Sequence, residues 1–135
     1  MKELDLLVEG LETVVSKVKE GHGWADVEEA AWTLYVKVEM MVTILKLRLA
    51  VERPGEFITM VEREPLTEHV IRALGSITQA REHAQRGDHR QALEGLRDCR
   101  NNLRVFLEAT RRLRFKAARA EAVGSGTTSQ PSSPF

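Results

Sequence analysis

The chain has 135 residues, 42% hydrophobic and 30% charged, with 20 basic and 20 acidic residues in balance. A chain of this size and composition forms one domain with its own core and needs no disulfide or metal to fold. The single cysteine rules out an internal disulfide, and the acids near the start and the charges scattered through residues 34–51 argue against a signal peptide and a membrane span. We therefore expect a cytoplasmic protein without membrane contact.

Apolar residues at alternating spacings of three and four predict a first helix from about residue 2 to residue 20. The sequence Gly21-His22-Gly23 ends it, because paired glycines interrupt helices. Asp26, with Glu29 three residues later, forms a capping-box pattern that predicts the start of the second helix near Ala25. The predicted stripe of the first helix is Leu4, Leu7, Leu11, Val14 and Val18.

The second predicted helix, about residues 25–52, is apolar around most of its circumference. A helix of that kind has to be covered on several sides. It therefore forms either the centre of the bundle or part of a subunit interface. The interface interpretation predicts a symmetric dimer, because two-fold dimers are the commonest closed assembly. The residues expected to line that interface are Val36, Met40, Ile44 and Leu47.

Residues 53–55 predict a turn, and residues 56–64 a short helix or an ordered connector. Pro65 opens the third helix, which ends at a Gly87-Asp88 hairpin where Asp88 is the N-cap of the fourth. The fourth helix, about residues 89–122, carries a heptad pattern typical of a coiled-coil seam. The heptad positions are Ala92, Leu96, Cys99, Leu103, Phe106, Thr110, Leu113, Ala117 and Ala120.

These elements predict an all-α fold, an up-and-down helical bundle of about four main helices. The bundle domain spans residues 1–123, and residues 124–135, rich in Ser, Thr, Gly and Pro, predict a flexible tail. The composition of that tail cannot bury a core, so we expect it to contribute nothing to the packing.

Motifs that would identify an enzyme or a cofactor site, such as a phosphate-binding glycine loop or paired metal ligands, do not occur in the sequence. His83 and His89 flank the Gly87 hairpin, and the favoured interpretation is a solvent-exposed polar helix end rather than a metal site. Arg63 and His69 lie six residues apart, which resembles the Arg-x(4–6)-His pattern of helical ribonucleases of the HEPN class, although Pro65 interrupts it here. That resemblance implies a third, enzymatic alternative; otherwise we expect no catalytic residues, no cofactor and no metal.

Charge is distributed unevenly along the chain. Residues 1–64 hold 8 basic and 13 acidic residues, and residues 65–123 hold 12 basic and 7 acidic ones. Arginines recur at spacings of seven and three along the fourth helix, and such a row suits a nucleic-acid backbone. The other interpretation is a solvated face laced with ion pairs to Glu94 and Glu108. The candidate nucleic-acid-binding residues are Arg97, Arg100, Arg104, Arg111 and Arg114.

The sequence thus favours a non-enzymatic helical interaction module, a homo-oligomer or a small subunit of a larger assembly. Self-association as a dimer is the expected partnership, and a different protein partner is the next. A nucleic-acid-binding accessory protein that uses the arginine row is the alternative.

Overall fold

The structure, a computed structural model, describes residues 2–49 and 65–129, without the side chains of Trp24 and of residues 122–129. Within these ranges the chain forms four α-helices and no strand. The helices are α1 (Lys2–Lys19), α2 (Trp24–Arg48), α3 (Thr67–Gln85) and α4 (His89–Ser129). The all-α prediction is confirmed, and the turn and connector predicted at residues 53–64 lie outside the described residues.

The helices form a bundle in which α1 and α4 each pack against both α2 and α3. Side-chain pairs fix the directions. Arg81 near the end of α3 lies 3.4 Å from Asp5 at the start of α1, and Arg114 of α4 lies 3.2 Å from Glu28 at the start of α2. Each helix therefore runs antiparallel to the neighbours that it contacts.

The helices α2 and α3, which occupy one diagonal of the bundle, run in the same direction. Arg48 at the end of α2 lines a cavity of about 150 Å³ together with Ala84 near the end of α3 and His89 at the start of α4. The end of α2 and the start of α3 are therefore at opposite ends of the bundle. At 1.5 Å per residue, α3 alone separates these ends by about 28 Å.

The core is built from the predicted stripes. Along α4 the predicted heptad is buried from Ala92 to Thr110, but Leu113 and the positions after it are exposed. Cys99 is fully buried, and burial raises the pKa of its thiol, which makes it an inert core residue as predicted. At Gly95 a Cβ atom would lie 2.9 Å from the carbonyl oxygen of Ser76, so the absence of a side chain lets α3 and α4 approach closely.

The helix ends agree with the prediction in one case and not in the other. The Asp88 carboxylate accepts a hydrogen bond from the backbone N–H of Gln91 at 3.2 Å, so the predicted N-cap of α4 is confirmed. The predicted capping box of α2 is wrong: Gly23 is the N-cap, without a side-chain hydrogen bond. Gly23 has extended backbone, and its carbonyl already accepts from the N–H of Asp26, so the helix begins upstream.

At the other end of the chain, α4 continues to Ser129, beyond the end predicted near Ala122. Residues 130–135 lie outside the described residues, and the flexibility expected of the tail stays a prediction. None of the described helices combines the length and the apolar character that crossing a membrane requires.

Candidate interaction surface

One side of α2 carries large apolar side chains that no described part of the chain covers. Among the described helices α2 contacts α1 and α4, and none of them lies on its third side. The exposed fractions on that side range from 42% for Val36 to 77% for Leu47. We call this surface the α2 face. It consists of Trp32, Val36, Met40, Ile44 and Leu47.

The α2 face follows from the spacing of its residues, which is four, four, four and three. At 3.6 residues per turn these positions form one stripe, about 22 Å long at 1.5 Å per residue. The structure thus brings the four predicted interface residues together on the surface and adds Trp32, which the sequence analysis did not assign. Among the described helices α2 has neighbours on two sides and none on the third, which favours the interface interpretation over the one that puts α2 at the centre of the bundle.

The two threonine hydroxyls beside the α2 face are already hydrogen-bonded within the helix. The hydroxyl of Thr33 donates to the carbonyl of Glu29 at 3.2 Å, and the hydroxyl of Thr43 donates to the carbonyl of Glu39 at 3.0 Å. Burying a hydroxyl without a hydrogen bond costs about 1–3 kcal/mol, and these two hydroxyls avoid that cost. The face is therefore more apolar in practice than its sequence suggests, and a shallow groove of about 460 Å³ runs along it.

A second groove, which we call the α2–α4 groove, lies between the first half of α2 and the middle of α4 and has a volume of about 590 Å³. Its apolar wall is the stacked pair Trp32 and Tyr35, with ring centroids 5.6 Å apart. These two residues also border the groove along the α2 face, so the two surfaces are continuous. Burial, and then the carboxylate of Glu39, raise the pKa of the Tyr35 hydroxyl, which stays protonated at neutral pH.

The polar wall of the α2–α4 groove is balanced in charge. It contains three arginines and three glutamates. These residues are Arg104, Arg111, Arg114, Glu28, Glu29 and Glu108. A groove with this lining does not select an anion, because its three arginines are matched by three glutamates, and Arg104 and Arg114 each lie within 4.0 Å of one of them.

The predicted arginine row is for the most part engaged with carboxylates. Arg100 is buried and lies 3.2 Å from Glu39 of α2. Arg111 and Arg114 both lie over the ring of Phe115, at 5.6 and 5.9 Å from its centroid. The other pairs are Arg97 with Glu94 at 3.0 Å, Arg104 with Glu108 at 4.0 Å and Arg114 with Glu28 at 3.2 Å. Four of the five candidate arginines thus have a carboxylate within 4.0 Å, an arrangement that agrees with the solvated, ion-paired interpretation.

A buried polar network joins α3 to α4 and was not found from the sequence. Asn102 donates through Nδ2 to the carbonyl of Asp98 at 3.0 Å, which turns its Oδ1 toward Nδ1 of the fully buried His69, 3.2 Å away. The imidazole therefore donates through Nδ1, and Ser76 donates through its hydroxyl to the Asp98 carboxylate. The sequence held one signal, since His69 falls on the apolar stripe between Leu66 and Ala73.

The ribonuclease-like alternative requires Arg63 and His69 in one cleft. Arg63 lies outside the described residues, and His69 is shielded from solvent and bonded to Asn102. In the part of the chain that the structure describes, no three side chains of His, Cys, Asp or Glu converge as metal ligands, the histidines of the Gly87 hairpin included. No known protein family, no curated protein and no solved structure matches the chain.

Proposed function

We propose that the protein is a non-enzymatic interaction module whose working surface is the α2 face, and that it forms a homo-oligomer, either alone or as a small subunit of a larger assembly. The observation that carries the proposal is the α2 face itself, five large apolar side chains exposed along one helix. We place the protein in the cytoplasm, where its single thiol would remain reduced.

Two properties of the α2 face support this proposal. Contiguous apolar patches are unusual on monomeric proteins and mark binding surfaces when they occur. Methionine and aromatic residues are enriched at protein interfaces, and the α2 face contains Met40 and Trp32. Because Thr33 and Thr43 are satisfied within the helix, a partner that covers the face leaves no hydroxyl without a hydrogen bond.

The alternative, nucleic-acid binding through the arginine row, is less well supported. An arginine that already contacts a carboxylate gains less from a phosphate, since the phosphate must displace the existing partner. We expect no retention of the protein on an RNA or DNA column at near-physiological salt. Sub-micromolar affinity that falls steeply with salt would reverse this ranking, because such behaviour reports the release of counterions from phosphates.

Light scattering on a matched pair of variants tests the proposal. Met40 and Leu6 are both 59% exposed, but only Met40 belongs to the α2 face. We expect the parent chain to be dimeric at micromolar concentration, Met40→Glu to be monomeric and Leu6→Glu to remain dimeric. A charge placed in a buried apolar interface is strongly unfavourable, whereas the same charge on open surface is tolerated.

Two outcomes would contradict the proposal. If Leu6→Glu dissociates the dimer and Met40→Glu does not, the interface lies elsewhere. If the parent is monomeric and Met40→Glu lowers its stability more than Leu6→Glu does, another part of the same chain covers the α2 face.

A further inference from the structure

The charges on α2 are arranged by sign along its length. Asp26, Glu28 and Glu29 lie in its first two turns, and Lys46 and Arg48 lie in its last turn. The helix macrodipole adds a partial positive charge at the start and a partial negative charge at the end, and these favour the same distribution. Two α2 helices packed in parallel would bring like charges together at both ends, whereas an antiparallel pair brings opposite charges together.

The angular positions of these charges also fit an antiparallel pair. Asp26 and Arg48 are about 40° apart around the helix axis at 3.6 residues per turn, so they share one flank of the α2 face. Glu28 and Lys46 are separated by about five full turns and share the other flank, where Glu28 also lies 3.2 Å from Arg114 of its own chain. In a two-fold antiparallel pair each flank of one helix lies beside the same flank of the other helix, which runs in the opposite direction. The acidic residues at the start of one helix are therefore next to the basic residues at the end of the other.

The residues along the middle of the α2 face indicate how the two α2 helices align along their length. Glu29 and Leu47 are also about five turns apart and lie on the line through the middle of the face, close to Val36 and Met40. If Val36 lies opposite the partner's Met40, then Glu29 lies opposite the partner's Leu47. In that register the Glu29 carboxylate is adjacent to the partner's Lys46 and to the partner's Arg48.

We propose that two copies of this chain pack α2 against α2 in an antiparallel, two-fold arrangement, with Val36 opposite the partner's Met40 and Glu29 opposite the partner's Leu47. This proposal rests on the proposed function, because it names the partner of the α2 face as a second copy. The apolar side chains supply the affinity, and the charges at the ends set the direction, as charged groups at interface rims generally do. An isologous interface of this kind closes at two copies.

Disulfide cross-linking of single-cysteine substitutions tests the direction. We would prepare Glu29→Cys and Leu47→Cys separately, with a tag on one of them so that the mixed product is recognised by size, and oxidise each alone and both together. The native Cys99 is buried and its thiol pKa is raised, so the parent chain is a blank that gives no cross-link.

The antiparallel register predicts a disulfide only in the mixture. In that register two copies of Leu47→Cys are separated by about 27 Å along the helices at 1.5 Å per residue, and so are two copies of Glu29→Cys. A parallel pair predicts the reverse, a disulfide in each variant alone and no mixed product when the two variants are combined. That result would overturn the inference while leaving the proposed dimer intact. A dimer of the parent chain that gives no cross-link in any of these samples would do the same.

A charge exchange provides a second test that needs no new cysteine. Glu29→Arg and Arg48→Glu should each weaken the parent dimer about fivefold, since an exposed ion pair contributes about 0.5 kcal/mol and occurs twice in a two-fold dimer. The double variant should dimerise more tightly than either single variant, because each copy then presents the opposite pairing between positions 29 and 48. A double variant that is weaker than both single variants would overturn the antiparallel arrangement. A parent chain that never dimerises in sedimentation would instead overturn the proposed self-association.

Discussion

The two halves of α4 share one heptad pattern and differ in what surrounds it. In the seam half, residues 89–110, the heptad positions are buried against α2 and α3. In the outer half, residues 111–121, every residue is exposed, Leu113 and Phe115 included. The pattern is the same in both halves, so the difference arises from the length of the neighbouring helices.

The neighbours of α4 end before α4 does. Glu28, in the first two turns of α2, lies beside Arg114, and α2 itself begins at Trp24. Beyond Arg114 little of α2 remains to cover α4. The periodic spacing of apolar residues therefore shows which side of a helix can be buried. The lengths of the neighbouring helices decide how far along the helix that side is covered. The α2 face is a second case, because its apolar period is intact and none of the described helices lies beside it.

Two phenylalanines of α4 give the largest expected contrast. Phe106 in the seam half is fully buried, whereas Phe115 in the outer half is 58% exposed. We expect Phe106→Ala to lower the free energy of unfolding by about 3–5 kcal/mol, because it removes buried surface and leaves a cavity. Phe115→Ala should change it by about 0.5 kcal/mol or less. Urea unfolding followed by circular dichroism measures both values, and a large loss for Phe115→Ala would mean that the outer half is covered in solution.

Substituting two glycines by alanine should give changes in stability of intermediate size and of opposite sign. A Cβ at Gly95 would lie 2.9 Å from both the Ser76 carbonyl oxygen and the Ala80 Cβ, whereas a Cβ at Gly75 meets nothing within 4 Å. We expect Gly95→Ala to destabilise by about 1–3 kcal/mol because the α3–α4 contact must widen. Gly75→Ala should stabilise by about 0.5–1 kcal/mol through lower backbone entropy in the unfolded chain. The same unfolding measurement checks the pair, and equal signs would show that α3 and α4 are less closely packed than described.

Two arginines give the smallest contrast. Arg100 in the seam half is buried beside Glu39, and Arg111 in the outer half is exposed. We expect Arg100→Ala to cost about 1 kcal/mol, since it removes the ion pair and the packing of the arginine stem while Glu39 remains partly hydrated. Arg111→Ala should be nearly neutral at about 0.5 kcal/mol or less. Thermal melts at low and high salt distinguish them, and equal losses would mean that the ion pair with Glu39 does not persist in solution.

The sequence was sufficient to predict the helices and most of the core. The stripes from Leu4 to Val14 and from Ala92 to Thr110 are buried as predicted, because a period of 3.6 residues places those side chains on one side of a helix. The N-cap at Asp88 was equally readable, since it depends on a contact three residues away. The prediction of a capping box at Asp26 was wrong. Gly23 has extended backbone and is the N-cap, so α2 already begins at Trp24.

The candidate site was predicted only in part. Val36, Met40, Ile44 and Leu47 were singled out because they are apolar residues outside the main stripe of their helix. Trp32 was missed, although its spacing of four from Val36 is the same as the spacing from Val36 to Met40 and from Met40 to Ile44. The bond between His69 and Asn102 joins residues 33 positions apart, and no local pattern predicts such a pair.

The sequence by itself determined that the chain is helical, where most helices begin and end, and which side of each helix is apolar. These properties depend on residues within about one or two turns of each other, so periodicity, caps and glycines reveal them. Only the tertiary structure decided that α2 and α3 run in the same direction, that Arg100 and Arg114 of α4 lie beside carboxylates of α2 and that none of the described helices covers the α2 face. Those properties depend on which helices become neighbours, and that choice results from packing between residues far apart in the chain.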